Sequence, residues 1–434
     1  MAETGGLVRL ARRLRHLARA RDGRWLRIAA VAVGLAALTV YLLPGLPAPG
    51  AHWPMWDVRV YWWGGQQAVR GAPLYAPGSP FSFTYPPFAA MVLAMTAGTS
   101  IGFLKFAITA TSVVALAVLC GQSLGAAGLR RRPETVFALT ALALLTWPVA
   151  YTLHLGEINL ILAALIGADL LRRRDGGWWQ GIGVGLAAGI KLTPLIFVAY
   201  LLLTRRYRAA ATAVATFAAT VAAGFALLPS QSAMFWLDGV FYNQSRVGNT
   251  ANPSNQSLAG AVARLAGSTA AATAGSRPWW VVAVLVTSVA GIAIAAWAHR
   301  SGHRLAGIAC CAITGLLISP ISWTHHWVWM VPLLVALPVA AWQRRSFGLG
   351  LAAAAVAVVF CGHIPMLWPG QPPSAERLWT GDLYVLCGLV VLAGTALALT
   401  WERYGRSGPG AAGVAGVAGM AASSRAWSRF TRSA

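Results

Sequence analysis

Acidic residues are scarce in this chain: 11 among 434, against 34 basic ones. Lysine is scarcer still, with Lys105 and Lys191 the only two. Charged residues of both signs make up 10% of the sequence, where a soluble domain carries about 25%. The deficit recurs along the whole length, which excludes a conventional soluble enzyme. The five cysteines, Cys120, Cys310, Cys311, Cys361 and Cys387, lie inside apolar runs without metal-ligand spacing, and they read as small buried hydrophobes. No Asp-x-Asp occurs, so the usual metal and nucleotide-sugar motif is missing.

What the chain has is apolar length: 57% of its residues are hydrophobic. A bilayer core of about 30 Å needs about 20 apolar residues per helix. Candidate spans lie at 25–46, 86–128, 135–153, 157–172, 179–204, 209–228, 279–298, 304–320, 326–343, 347–363 and 380–400. The net charge of +23 does not point to nucleic acid, because arginines cluster at the ends of apolar runs, as at Arg130 to Arg132, Arg172 to Arg174 and Arg344 to Arg345. Placing those clusters inside predicts an all-α polytopic bundle of about 12 transmembrane helices. It has a basic inner segment at 1–24, a membrane domain at 25–400 and a disordered basic tail at 401–434. Parity requires 179–204 to cross an even number of times, with a break at Lys191-Leu192-Thr193-Pro194, and 86–128 to cross an odd number of times, although it reads as two helices, one of them re-entrant. Two long loops, 47–85 and 229–278, then face outside. Both are rich in aromatics, and Arg59 to Arg70 reads as a short interfacial helix.

The few polar residues beside the outer ends of spans are the candidates for chemistry. Asp57 follows the first span among Trp and Tyr, where a partly desolvated carboxylate suits a general base; the competing reading is a helix N-cap. Glu157 and Asn159 sit in the hairpin between two spans, where a capping role competes with binding. Lys191 interrupts an apolar run at membrane depth, where ionisable groups are costly and usually functional. His325 and His326, beside Trp323, suit phosphate binding or proton handling. As neighbours they should point to different faces, with no carboxylate nearby in sequence, so no metal site is expected. Asn255 and Gln256 carry amides of the kind that bind sugar hydroxyls, and that also form turns.

The ordered set Asp57-x-x-Val60-Tyr61, Gly71-x-x-Leu74-Tyr75, Tyr85-Pro86-Pro87-Phe88, Gly156-Glu157-x-Asn159, Lys191-Leu192-x-Pro194, Asn255-Gln256-Ser257 and Ser319-Pro320-x-Ser322-Trp323-x-His325-His326 resembles the polyprenyl-phosphate-mannose-dependent α-mannosyltransferases of actinobacteria, glycosyltransferase family 87. The resemblance implies a GT-C-type membrane bundle at the plasma membrane, with its active site on the outer face. It implies a lipid-phosphate mannose donor, a phosphatidylinositol mannoside acceptor, inversion at the anomeric carbon and no cofactor. Carried over, Asp57 is the catalytic base and His325, His326 and Lys191 hold the donor phosphate. Arg59, Tyr61, Tyr85, Glu157, Asn159, Asn255, Gln256 and Trp323 contact substrate. Glutamine often stands in the family where Glu157 does, which argues against a catalytic role for that residue. Enzymes that branch lipomannan or transfer arabinofuranose share the pattern. A lipid or sugar transporter is the competing class, but no repeated halves are visible, and the polar residues gather at span ends rather than at a midplane.

Overall fold

Apolar runs without strand-like alternation can satisfy their backbone in lipid only as helices. The computed structural model describes residues 27–42, 55–76, 82–172, 177–243, 246–266, 270–362 and 380–405. Among them helices dominate, and the one β feature is an isolated bridge between Asn255 and Trp323. The segment 1–24 and the tail beyond 405 lie outside the described residues. In chain order the helices are α1 (Arg27–Leu42), α2 (Trp56–Arg70), α3 (Pro87–Ala94), α4 (Ile101–Ala126), α5 (Pro133–Leu144), α6 (Trp147–Leu155), α7 (Asn159–Leu170), α8 (Ile182–Ile190) and α9 (Ile196–Leu203). They continue as α10 (Tyr207–Leu227), α11 (Pro229–Trp236), α12 (Leu258–Leu265), α13 (Ala270–Arg300), α14 (Arg304–Ile318), α15 (Met330–Arg344), α16 (Phe347–Cys361) and α17 (Leu383–Gly405).

Among the described residues, five segments are long and apolar enough to cross a bilayer: Ile101–Ala126, Tyr207–Leu227, Pro278–Arg300, Thr324–Arg344 and Leu383–Tyr404. The pair α5 and α6, bent by 78° at its break, passes the same test only when its two helices are taken together. Residues 86–128 do hold two helices. Of these, α3 has only 8 residues, about 12 Å, and lies against α2 rather than spanning. The expected loop at 229–278 is largely helical, with α11 and α12 inside it and α13 beginning at Ala270. The cysteines are buried except Cys387, which is partly buried, and Cys361, which is exposed on the last turn of α16. Cys361 faces outward although its neighbour Phe360 is buried, so not every cysteine fills the core.

The helices that lead to Asn159, Lys191 and the His325–His326 strip are short. Among them α7 has 12 residues, α14 has 15 and α8 has 9, giving lengths of about 14 to 22 Å. Helix α4, with 26 residues, reaches further. Asn159 at the start of α7 and Lys191 at the end of α8 meet in a polar centre. The course of 179–204 follows from this. Asp169, near the far end of α7, accepts hydrogen bonds from the backbone N–H groups of Gly181 and Val184, at 2.8 and 3.1 Å. Helix α8 thus starts at the far end and climbs to Lys191 at the polar centre. Helix α9 then descends to Leu203, whose carbonyl accepts a hydrogen bond from Arg300 at the far end of α13. The chain runs up and back, as the break at Lys191 predicted.

Candidate active site

Lys191 ends α8 with an extended backbone (φ −146°, ψ 129°), and Pro194 begins a 3-10 turn, Thr193–Leu195, before α9. The break frees the lysine to project sideways. Its Nζ donates to Glu157 Oε1 at 2.5 Å and to Asn159 Oδ1 at 3.1 Å, and lies 3.3 Å from His326 Nε2. Glu157 is 3% exposed. Its other oxygen accepts from Asn159 Nδ2 at 2.6 Å and faces His325 Nε2 at 2.8 Å. His325 is also buried, and with Nε2 directed at Glu157 its Nδ1 meets no hydrogen-bond partner among the described residues.

Both histidines therefore reach one carboxylate, contrary to the expectation that they diverge without an acidic partner. They sit on a 3-10 segment, Thr324–Trp329, where neighbours differ by about 120°. Glu157 offers one oxygen toward each, with His326 Nε2 3.6 Å from Oε1. Its hairpin is far away in sequence, which is why no local pattern shows the pairing. Neither Glu157 nor Asn159 caps α7, whose N-cap is Ile158 without a side-chain hydrogen bond.

Helix α2 brings the second carboxylate. It starts at Trp56, earlier than expected, with Met55 as N-cap in a left-handed conformation (φ 42°). Asp57 is therefore in the first turn and is not the N-cap residue. A non-glycine residue at positive φ costs about 1–3 kcal/mol and persists where packing over-determines it. Here the packing is visible: Met55 and Val58 press on Gly156, the left-handed residue (φ 71°) that ends α6 just before Glu157, where any Cβ would clash with both. Tyr61 adds a second tie. Its hydroxyl accepts from the Ile158 N–H at 3.4 Å and shares a hydrogen bond with the Tyr85 hydroxyl at 3.0 Å. Asp57 stays half-buried and feels both Glu157 and Lys191 electrostatically. Its carboxyl is pushed up to about 8, mostly by burial and next by Glu157, with Lys191 opposing.

The remaining predicted residues divide. Tyr85 lies beside the cluster, with Lys191 Nζ 6.0 Å from its ring centroid. Arg59 is exposed on α2, stacked over Trp56 at 5.3 Å. Asn255 and Gln256 are wholly buried, with their amides committed to the backbone. Asn255 donates to the carbonyls of Thr250 and Pro320 and accepts from Ser322 N. Gln256 donates to the carbonyls of Pro253 and Gly381 and accepts from Tyr384 N. With the Asn255–Trp323 bridge and the bond from Thr324 N to Ser254 O, 2.8 Å, they hold the strip that presents His325 and His326. Sequence reasoning missed Arg264, buried and paired with Asp382, which clamps the same loop through the carbonyls of Asn252 and Asn255. A basic residue in an expected outer loop was the available signal. Gln256→Ala should lower stability by about 1–3 kcal/mol through stranded backbone groups. A melting curve checks this, and a raised acceptor KM with unchanged melting would instead make Gln256 a sugar ligand.

Glu157, His325 and His326 offer one ligand atom each, all within 4.8 Å of one another, a donor set that suits a divalent cation. The Lys191 ammonium already contacts Glu157 Oε1 and lies within reach of His326 Nε2, and it supplies the positive charge there. The set therefore does not fit a metal while Lys191 stays.

Glycosyltransferase family 87 matches residues 83–320, a stretch that includes Tyr85, Glu157, Asn159 and Lys191. A polyprenol-phosphate-mannose-dependent alpha-(1-2)-phosphatidylinositol mannoside mannosyltransferase of Mycolicibacterium smegmatis is 34% identical over 77% of this chain and 82% of its own length. A polyprenol-phosphate-mannose-dependent alpha-(1-2)-phosphatidylinositol pentamannoside mannosyltransferase of the same organism is 33% identical over 85% of this chain and 88% of its own. Among solved structures, ArnT from Cupriavidus metallidurans bound to undecaprenyl phosphate aligns at 19% identity and a TM-score of 0.42, covering 88% of this chain and 72% of that one. The identity and coverage of the mannosyltransferases, together with the family match, establish that this chain is a glycosyltransferase and belongs to family 87.

Proposed function

We propose that this glycosyltransferase moves mannose from polyprenyl-phosphate-mannose to the 2-hydroxyl of a phosphatidylinositol mannoside, with inversion at the anomeric carbon. The names of its relatives support the donor and acceptor classes. The observation that carries the reading is the buried cluster of one ammonium and two imidazoles around Glu157, beside a second carboxylate, Asp57, of raised proton affinity.

Asp57 takes the proton of the acceptor hydroxyl as that oxygen attacks the anomeric carbon. The bond to the phosphate oxygen breaks, and the charge that gathers there meets Lys191, His325 and His326, which Glu157 holds in place. The leaving phosphate needs no general acid. We place the reaction on the outer face of the plasma membrane, in a chain that crosses about twelve times with both ends inside. This follows from the arginine clusters of the opposite ends.

The test uses membranes carrying the full chain, with radiolabelled mannose supplied either as polyprenyl-phosphate-mannose or as a nucleotide sugar. Label should enter a phosphatidylinositol tetramannoside from the lipid donor alone. Transfer from the nucleotide sugar in membranes that lack polyprenyl phosphate would overturn the reading. Transfer to lipomannan but not to the small glycolipid would replace the acceptor.

A further inference from the structure

Along the flank formed by helices α14, α15, α16 and α17 lies a cleft of about 600 Å³. That volume is within the roughly 300–1,000 Å³ usual for small-molecule sites. It follows α17 from Leu383 to Glu402, about 28 Å of helix and close to the thickness of a hydrocarbon core. Its walls are aliphatic, with Leu333, Leu337, Val356 and Val390 among them. None of Glu157, Lys191, His325 and His326 lines it, and the rings of Trp327, Phe360 and Tyr384 pack on one another near its Leu383 end.

The chemistry changes at the other end. Arg344, His303 and Arg304 line the mouth, with Glu402 the one acidic residue among the lining. Glu402 holds two of these side chains in position: Arg344 directly, and His303 with Nε2 at 3.0 Å from Oε2. The mouth is left with more positive than negative groups. Midway along α17, Gly394 faces the cleft, and a Cβ there would meet nothing within 4 Å. Glycine inside a helix costs about 0.5–1 kcal/mol relative to alanine. No neighbouring element of the fold requires it, which fits a wall shaped for something outside the chain.

We propose that this cleft binds one anionic phospholipid, its acyl chain along α17 and its phosphate against Arg344, His303 and Arg304. An aliphatic trough of membrane length ending in a cationic mouth matches an anionic lipid and gives a zwitterionic lipid no advantage. The site is separate from the transfer reaction and does not depend on which donor or acceptor the enzyme uses.

The experiment is native mass spectrometry of the purified full chain after incubation with phosphatidylglycerol or with phosphatidylcholine of the same acyl composition. Wild type should retain one phosphatidylglycerol in preference to phosphatidylcholine. Arg344→Gln should weaken retention about fivefold, the effect of one basic residue at a membrane surface. Gly394→Leu should weaken it about tenfold or more by filling the trough, as overpacking does elsewhere. Replacing a mid-helix glycine favours the helix, so the melting temperature of Gly394→Leu should not fall. Equal retention of the two lipids, or full retention by Gly394→Leu, overturns the proposal. Displacement of the phosphatidylglycerol by polyprenyl phosphate also overturns it, since the trough would then hold a donor chain.

Discussion

Asp57→Asn should abolish the proposed mannosyl transfer while the protein folds normally, with a rate loss of about 10²–10⁴-fold, the usual worth of a positioned base. The geometry separates this from a structural effect. Asp57 is not the N-cap of α2, so the substitution removes no capping hydrogen bond. Its carboxyl is pushed up to about 8, first by burial and then by Glu157. The sign for stability follows. Between the ordinary carboxyl value near 4 and about 8 the folded state holds a proton that the unfolded state has lost, so stability falls as pH rises through that window. The Asn variant escapes this penalty and should melt no lower than wild type at pH 8.

For activity the sign is opposite, because a base must be deprotonated. In the free enzyme kcat/KM should rise about tenfold per pH unit below about 8 and level off above it. Glu157→Gln removes the carboxylate that raises Asp57, and frees Lys191 to lower it further. Its residual activity should therefore show the same rise displaced to lower pH. A profile that does not move, or a bell centred on a histidine value, would take the base role away from Asp57.

The helix break at Lys191 was legible because Pro194 denies an α-helix its continuation, and parity of the basic clusters then demanded a return of the chain. The start of α2 was not legible. It depends on Met55 adopting a left-handed conformation that only its packing on Gly156 explains, and methionine gives no sign of it. The convergence of His325, His326 and Glu157 was hidden for another reason. Neighbouring side chains were expected to diverge, and they do, but one carboxylate from a distant hairpin offers an oxygen to each. Asn255 and Gln256 show a third limit. An amide suited to a sugar hydroxyl suits a backbone carbonyl equally well, so residue type alone cannot distinguish a ligand from a loop clamp.

Lys191→Met should lose transfer by about 10²–10³-fold, the scale of removing one preorganised charge from a developing anion. The single variant also strips a buried carboxylate of its partner, which destabilises by about 3–5 kcal/mol. Loss of activity alone would therefore prove little. The double variant Lys191→Met with Glu157→Gln separates the two effects. Replacing both members of a buried ion pair by neutral groups of similar volume is close to neutral for folding. Asn159 and His325 can still hydrogen-bond a glutamine at the position of Glu157. The double variant should thus melt near wild type and remain inactive. If transfer returned together with stability, the pair would be a structural brace, and His325 and His326 would have to receive the phosphate alone. Persistent inactivity in a stable double variant, where Glu157→Gln alone keeps residual activity, assigns the charge on Lys191 to the reaction. It also explains why so costly a group is kept at the end of a broken helix in a chain with only one other lysine.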